Sequence, residues 1–342
     1  MKKMLIKIIT TCLFISTTIF GQRVVLINGA GATFPYPLYS KWFYEYAKID
    51  KTVNFNYQSI GSGGGIRQIL AQTVDFGATD AFMTDNQLKL APGKILHIPM
   101  TAGAVVLIYN IPELKGKKAL KLTPEIISKI YLGKIKKWND KLIQLENPDV
   151  SLPDKNIVVA RRSDGSGTTF IFTEYLCEVS QEWKNKVGKG TSVNWPVGLG
   201  GKGNEGVAGI VKNTPYSIGY VEISYAMQNN LDYAMVKNKD GYYVKPTIES
   251  ITAAIEDKAK NMPDDYRISI VNAGGKNSYP ITGLTWVLVY QKQQDKVRGE
   301  KLVQFLKWAV TDGQNYCKDL LYAPLPKNLR DKILKTIETI EY

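Results

Sequence analysis

Short apolar runs recur along the chain, separated by longer segments in which apolar residues return every three or four positions. The runs at residues 24–27, 53–57, 76–78, 105–109, 157–160, 218–221, 268–271 and 285–290 predict strands. The intervening segments at 36–47, 64–71, 123–131, 168–178 and 248–258 predict helices, and two more amphipathic helices, at 300–310 and 327–340, close the chain. Thr123 followed by Pro124 reads as an N-cap with proline at the first helical position. Strands alternating with helices predict an α/β architecture with largely parallel sheets. No internal repeat or low-complexity linker interrupts this pattern, so a division into domains has to be made by strands that cross between them.

The first residues break the pattern. Lys2, Lys3 and Lys7 border an apolar stretch, 8–20, that is short for a membrane span and has the form of an export signal. Cleavage is expected near Gly21, with Gln22 as the new terminus. Cys12 follows Thr11 rather than a small residue, and the apolar run continues past it, so lipid attachment there is not expected. Loss of residues 1–21 lowers the formal net charge from +13 to +10. A basic balance favours anionic partners, but the lysines are scattered and no arginine-rich or lysine-aromatic run marks a nucleic-acid groove. The chain of 342 residues is long enough for two domains, each with its own core. Cys177 and Cys317 would remain in the processed chain, and the sequence alone does not place them together. His97 is the sole histidine and lies in the apolar run Ile95-Leu96-His97-Ile98-Pro99, which reads as a structural position. A histidine-cysteine metal cluster is thereby excluded.

Three stretches put Gly, Ser or Thr where a strand ends and a helix begins: residues 29–34, 60–65 and 161–169. The first N–H groups of a helix have no intrahelical acceptor, and small residues let an anion come close to them. Each stretch taken singly also reads as an ordinary turn, and Ser166 and Thr168 also read as helix caps. Neither the Gly63 region nor Gly200-Gly201-Lys202-Gly203 supplies Gly-Lys followed by Ser or Thr, and the glycine spacing after the first strand does not fit a dinucleotide fingerprint. What remains is recognition of a phosphate-like anion without nucleotide machinery. Asp80 follows a short strand, where ligands bind in open α/β sheets; alone, it reads as an N-cap. A carboxylate beside an anion is repulsive unless the anion carries a hydrogen to donate, as protonated phosphate does and sulfate at neutral pH does not.

In chain order, Gly29-Ala30-Gly31-Ala32-Thr33-Phe34-Pro35, Gly61-Ser62-Gly63-Gly64-Gly65, Val74-Asp75-Phe76-Gly77-Ala78-Thr79-Asp80, Tyr131 to Trp138, Arg161 to Phe170 and Trp195 to Asn204 resemble the periplasmic phosphate-binding proteins of ABC-type high-affinity phosphate transporters. The resemblance covers essentially the whole chain after residue 21. It implies a two-domain periplasmic-binding-protein fold of the type II, hinge-closing kind, with residues 22–100 and 280–342 forming one α/β domain and 101–279 the other. It places strand crossings near 99–103 and 278–282. It also implies a phosphate site with backbone donors at Thr33 and Phe34, hydroxyl and backbone donors at Ser62, and the acceptor Asp80. Arg162 would be the cationic clamp, positioned by Asp164, and Ser166, Gly167 and Thr168 the remaining donors. Gly63 stands where the family often has serine. Residues 131–138 are expected to be structural, and 198–206 a loop.

The expected partners are inorganic phosphate and the inner-membrane permease subunits of an ABC transporter, with no metal, cofactor or nucleic acid, for a periplasmic monomer that is not an enzyme. A serine hydrolase using Ser62 or Ser166 is the reading from another class. Neither serine lies in Gly-x-Ser-x-Gly, and only His97 is available as a base. A relative selecting another oxyanion, or a phosphate-associated surface adhesin, is the third reading.

Overall fold

The computed structural model describes residues 24–342, so the expected export segment and Cys12 lie outside the described residues. The first part of the chain alternates strand and helix: β1 (Val25–Gly31), α1 (Tyr36–Ile49), β2 (Val53–Ser59), α2 (Ser62–Leu70), β3 (Phe76–Thr79), a single turn α3 (Asp85–Leu88), and the long β4 (Ile95–Asn110). The middle holds β5 (Lys121–Leu122), α4 (Pro124–Tyr131), α5 (Lys141–Glu146), β6 (Val158–Arg162), α6 (Gly167–Val179) and α7 (Gln181–Lys186). It continues with β7 (Leu199–Gly201), α8 (Gly203–Asn213), β8 (Ser217–Glu222), α9 (Ile223–Gln228), β9 (Asp232–Tyr233), β10 (Met235–Lys237), β11 (Tyr243–Val244) and α10 (Ile248–Ala259). The chain closes with β12 (Thr282–Tyr290), α11 (Lys296–Val310) and α12 (Lys327–Ile337).

Among the described residues, the main sheet runs β2-β1-β3-β12-β4-β8-β6-β7, with β9 beside β4; β11, β10 and β5 form a small separate sheet. Its flanks are parallel, as βαβ units require, but β3–β12, β12–β4 and β4–β8 are antiparallel. The expectation of largely parallel sheets therefore holds at the two flanks and fails at the centre, where β12 returns from far along the chain. β4 is buried along nearly all its length and extends well beyond the apolar run at 105–109, taking in His97, Pro99 and Thr101. It pairs with β12 over residues 95–104 and with β8 over 105–110, so one strand links the two flanks. Pro99, which has no N–H to give, is accommodated because the register shifts here: Trp286 pairs with Pro99 and Thr285 with Thr101, leaving Met100 as the extra residue of a bulge.

Two local expectations are corrected. Residues 268–271 pair with no strand; Ile270 and Val271 are buried by packing, and an apolar run alone does not distinguish a buried loop from a strand. Residues 198–206 are not a loop but the end strand β7 and the first turn of α8. Thr123 does cap α4, its hydroxyl accepting from Ile126 N–H at 3.2 Å. Tyr131 and Trp138 are fully buried, in keeping with a structural role. Cys177 and Cys317 are both free thiols. No helix among the described residues is long and apolar enough to cross a membrane.

Candidate anion-binding site

Three helices begin just beyond the ends of parallel strands, and their first turns converge. Gly61 leaves β2 with φ of +85°, a backbone state open to glycine, and turns the chain into α2. A Cβ on Gly65 would lie 2.6 Å from Ala78 O and 2.7 Å from Ala30 O, so α2 sits directly on β1 and β3 with no room for a side chain. On the other flank Ser166 caps α6, its Oγ accepting from Thr169 N–H at 3.0 Å. Gly63 N–H donates to Gly165 O at 2.9 Å, which joins the loop before α6 to α2. A Cβ on Gly167 would fall 2.5 Å from both Asp80 Oδ2 and Ser62 Oγ. Residues far apart in sequence thus meet at one buried place.

The backbone there is rich in unused donors. The N–H groups of Thr33, Phe34, Ser62, Gly167 and Thr168 reach no acceptor among the described residues, yet all five residues are buried. An unpaired buried N–H costs about as much as a lost hydrogen bond, so this cluster calls for a common acceptor with several lone pairs. Ser166 differs, because its N–H is taken by Thr191 O at 2.8 Å and only its hydroxyl is left to contribute.

The hydroxyls are turned the same way. Thr33 Oγ1 accepts from Asn204 Nδ2 at 2.7 Å and from Asn204 N–H at 3.3 Å. Thr168 Oγ1 accepts from Asn204 Nδ2 at 3.1 Å and from Arg162 Nη1 at 3.4 Å. Ser62 Oγ accepts from Asp80 N–H at 3.1 Å and donates to Asp80 Oδ2 at 3.4 Å. With N–H donors occupying the oxygens of Thr33 and Thr168, what these two hydroxyls have left to offer is the hydrogen, while that of Ser62 is held in a long bond to Asp80.

The charged groups are opposed. Arg162 has a side chain only 1% exposed, and one edge of its fork is held by Asp164, Nε to Oδ1 at 2.8 Å and Nη2 to Oδ2 at 2.5 Å. Burial acts to raise the Asp164 pKa, but Arg162 outweighs it and holds the carboxyl below its usual range. Gly203 N–H also donates to Asp164, at 3.1 Å. The remaining edge of the guanidinium is a planar donor set suited to an oxyanion. Asp80 is 2% exposed, and its Oδ1 accepts from Thr285 Oγ1 at 2.8 Å. Burial pushes its carboxyl up to about 7, against the opposing pull of Thr285, Arg162 and Ser62. Thr285 pairs with Thr101 at the edge of the bulge, and the local change of register there sets the strand's orientation next to Asp80.

All nine residues singled out in the sequence lie in this cluster: Thr33, Phe34, Ser62, Asp80, Arg162, Asp164, Ser166, Gly167 and Thr168. Asn204, Thr285 and the tyrosines around the Thr33 loop were missed. Asn204 belongs to the 195–204 stretch, but its amide acquires a role only when α8 brings it between Thr33 and Thr168. His97 stands apart from this chemistry: its Nε2 accepts from Met83 N–H at 3.0 Å, and burial pushes its pKa down to about 4. A hydrolase would therefore find its only candidate base with its acceptor nitrogen occupied. No group of His, Cys, Asp and Glu suited to a metal ion is present among the described residues.

Comparison with known proteins gives consistent matches. A family model described as a PBP superfamily domain matches residues 16–313. The phosphate-binding protein PstS of Xylella fastidiosa (strain Temecula1) is 45% identical over 311 residues, 91% of this chain and 84% of that protein. PstS of Haemophilus influenzae is 45% identical over 304 residues, 89% and 90% of the two chains. Among solved structures, a human phosphate-binding apolipoprotein superposes with a TM-score of 0.71 at 19% identity, covering 90% of this chain and 93% of that one. At that identity the last match speaks for the periplasmic-binding-protein fold alone.

Proposed function

We propose, from the premise that this chain belongs to the PstS family of phosphate-binding proteins, that it captures inorganic phosphate in the periplasm and delivers it to the permease of an ABC-type importer. The family is one of binding proteins, not enzymes. A single observation carries the choice of ligand: a cluster of buried, unpaired N–H donors and one arginine edge surrounds a place that also holds the buried carboxylate of Asp80. The donors fit a tetrahedral oxyanion. Asp80 adds the demand that the anion bring a hydrogen of its own.

In this reading Thr33, Phe34, Ser62, Gly167 and Thr168 donate backbone N–H groups, Ser62, Ser166 and Thr168 donate hydroxyls, Arg162 donates from its free edge and Asp80 accepts. Asp164 holds the arginine. Charge-assisted hydrogen bonds contribute roughly 1.5–3 kcal/mol each, so a few of them exceed the desolvation cost and reach micromolar affinity, about −8 kcal/mol. These attractions alone would admit sulfate too. Leaving the Asp80 carboxylate without a partner is what rejects it, by a factor of roughly 10⁴–10⁵ for sites built around a ligand O–H.

The two flanks of the sheet support a division into residues 22–100 with 280–342 and residues 101–279, hinged where β4 passes from β12 to β8. Thr33, Ser62 and Asp80 would belong to the first domain, Arg162 and Ser166 to Thr168 to the second. Closure would complete the site and create the form that the permease recognises. The test is calorimetry on protein stripped of bound phosphate, with phosphate and sulfate in parallel. Wild type is expected to bind phosphate and ignore sulfate, and Asp80→Asn to bind both. An unchanged phosphate-over-sulfate preference in Asp80→Asn would overturn the assignment of selectivity to this carboxylate.

A further inference from the structure

Three consecutive carbonyls of the Thr33 loop are each gripped by a tyrosine hydroxyl. Tyr57 donates to Ala32 O at 2.8 Å, Tyr225 to Thr33 O at 2.6 Å, and Tyr322 to Phe34 O at 2.6 Å. Each carbonyl shares a peptide plane with the N–H of the next residue. The Ala32 carbonyl is therefore paired with Thr33 N–H and the Thr33 carbonyl with Phe34 N–H, the two loop donors that have no protein acceptor among the described residues. The Phe34 carbonyl precedes Pro35, which has no N–H.

We propose that Tyr57 and Tyr225 are positioning residues for anion binding, each orienting and polarising one peptide so that Thr33 N–H and Phe34 N–H respectively become stronger donors to the bound anion. This rests on the reading of the site as a phosphate site. A hydrogen bond accepted at a carbonyl polarises the whole amide and strengthens its N–H as a donor, by about 10–30% per bond. It also fixes the peptide plane against rotation, so less ordering is left for the ligand to impose. Desolvation raises the pKa of all three phenols well above the ordinary value, so each retains the hydrogen it donates.

The three tyrosines come from different places. Tyr57 is in β2, beside the loop it holds. Tyr225 is in α9, which follows β8 on the other side of the proposed hinge. Phe34 N–H therefore reaches full donor strength only when the two sides are together, and this makes closure and ligand affinity parts of one event. Tyr322 also lies 3.0 Å from Glu222 Oε2, and it anchors a peptide that has no donor to strengthen.

The test uses the mature protein, stripped of phosphate, in wild-type, Tyr57→Phe, Tyr225→Phe and Tyr322→Phe forms, with inorganic phosphate as the probe. Calorimetry is expected to give affinities about fivefold weaker for Tyr57→Phe and Tyr225→Phe. In phosphate-saturated protein carrying 15N-labelled threonine and phenylalanine, the Thr33 amide proton should move upfield in Tyr57→Phe alone. The Phe34 amide proton should do so in Tyr225→Phe alone, and neither should move in this way in Tyr322→Phe. General loosening of the loop would not produce that one-to-one pairing. Wild-type affinity in both variants, or amide shifts that ignore the pairing, would overturn the proposal. Failure of the wild-type protein to bind phosphate would instead overturn the reading of the site on which it rests.

Discussion

Gly167 shows how tightly single residues are fitted at this site. The position begins α6, where alanine is a better helix former than glycine by about 1 kcal/mol, yet a Cβ there would meet Asp80 Oδ2 and Ser62 Oγ at 2.5 Å. Both groups are buried and hydrogen-bonded, so they have little freedom to retreat. Gly167→Ala should therefore leave the melting temperature within a few degrees of wild type while weakening phosphate binding on the order of 100-fold, about 2.7 kcal/mol, as read by calorimetry. Affinity within twofold of wild type would mean that the contact seen here yields at little cost. At this scale the sequence was legible wherever chemistry is local. Arg162 and Asp164 are two residues apart, and the Ser-Gly-Thr turn announces a helix start by itself. Asn204 and Thr285 were not legible, because an amide and a hydroxyl are common on any surface. Their roles exist only through contacts with Thr33, Thr168 and Asp80 that span 36 to 205 positions.

Helix ends give the next scale. Ser166 and Thr123 are both N-caps whose hydroxyls accept from the backbone N–H three residues on, at 3.0 and 3.2 Å. Replacing either by alanine should cost about 1 kcal/mol of stability. Ser166→Ala should in addition weaken phosphate binding several-fold, because its hydroxyl hydrogen is the donor assigned to the anion in the proposed site, whereas Thr123→Ala should leave affinity unchanged. Parallel melts and titrations separate the two effects, and equal loss of affinity in both variants would show that general destabilisation is responsible. Most elements were visible as apolar periods bounded by small residues. The exceptions have physical causes. Residues 268–271 carry a strand-like apolar run because they pack under other elements rather than pair with them. The 198–206 segment is so rich in glycine that it reads as a loop, although those glycines are what allow β7 and α8 to pass close together: a Cβ on Gly201 would lie 2.6 Å from the Gly206 carbonyl carbon. The antiparallel centre of the sheet was hidden because β12 pairs with β3 and β4 across a sequence separation that no local pattern records.

At the scale of the whole molecule, the proposed hinge would make the buried carboxylate a link between proton binding and closure. With the two sides together, burial pushes Asp80 from 3.8 up to about 7. An opened form that returns Asp80 to water restores the ordinary value near 3.8. Between those two pH values the closed form holds a proton that the open form has released, so raising pH through this window weakens closure in the ligand-free protein. Below the window both forms are protonated there and the penalty vanishes; above about pH 7 it is present in full. Glu222, the other fully buried carboxyl near the site, has its pKa raised well above 4.5 by burial; its Oε2 accepts from Ser224 N–H and lies 3.0 Å from the Tyr322 hydroxyl. Its contribution is separated from that of Asp80 by substitution. In the proposed site, phosphate would remove the penalty by supplying an O–H to Asp80 and negative charge to Arg162. Small-angle scattering on stripped protein should therefore report a more compact particle at about pH 5.5 than at about pH 8, while phosphate-saturated protein stays compact at both. Asp80→Asn cannot ionise and should give stripped protein that is equally compact at the two pH values. If the pH response persists in Asp80→Asn, the proton that governs closure sits elsewhere, and Asp80 acts on the choice of ligand without acting on the hinge.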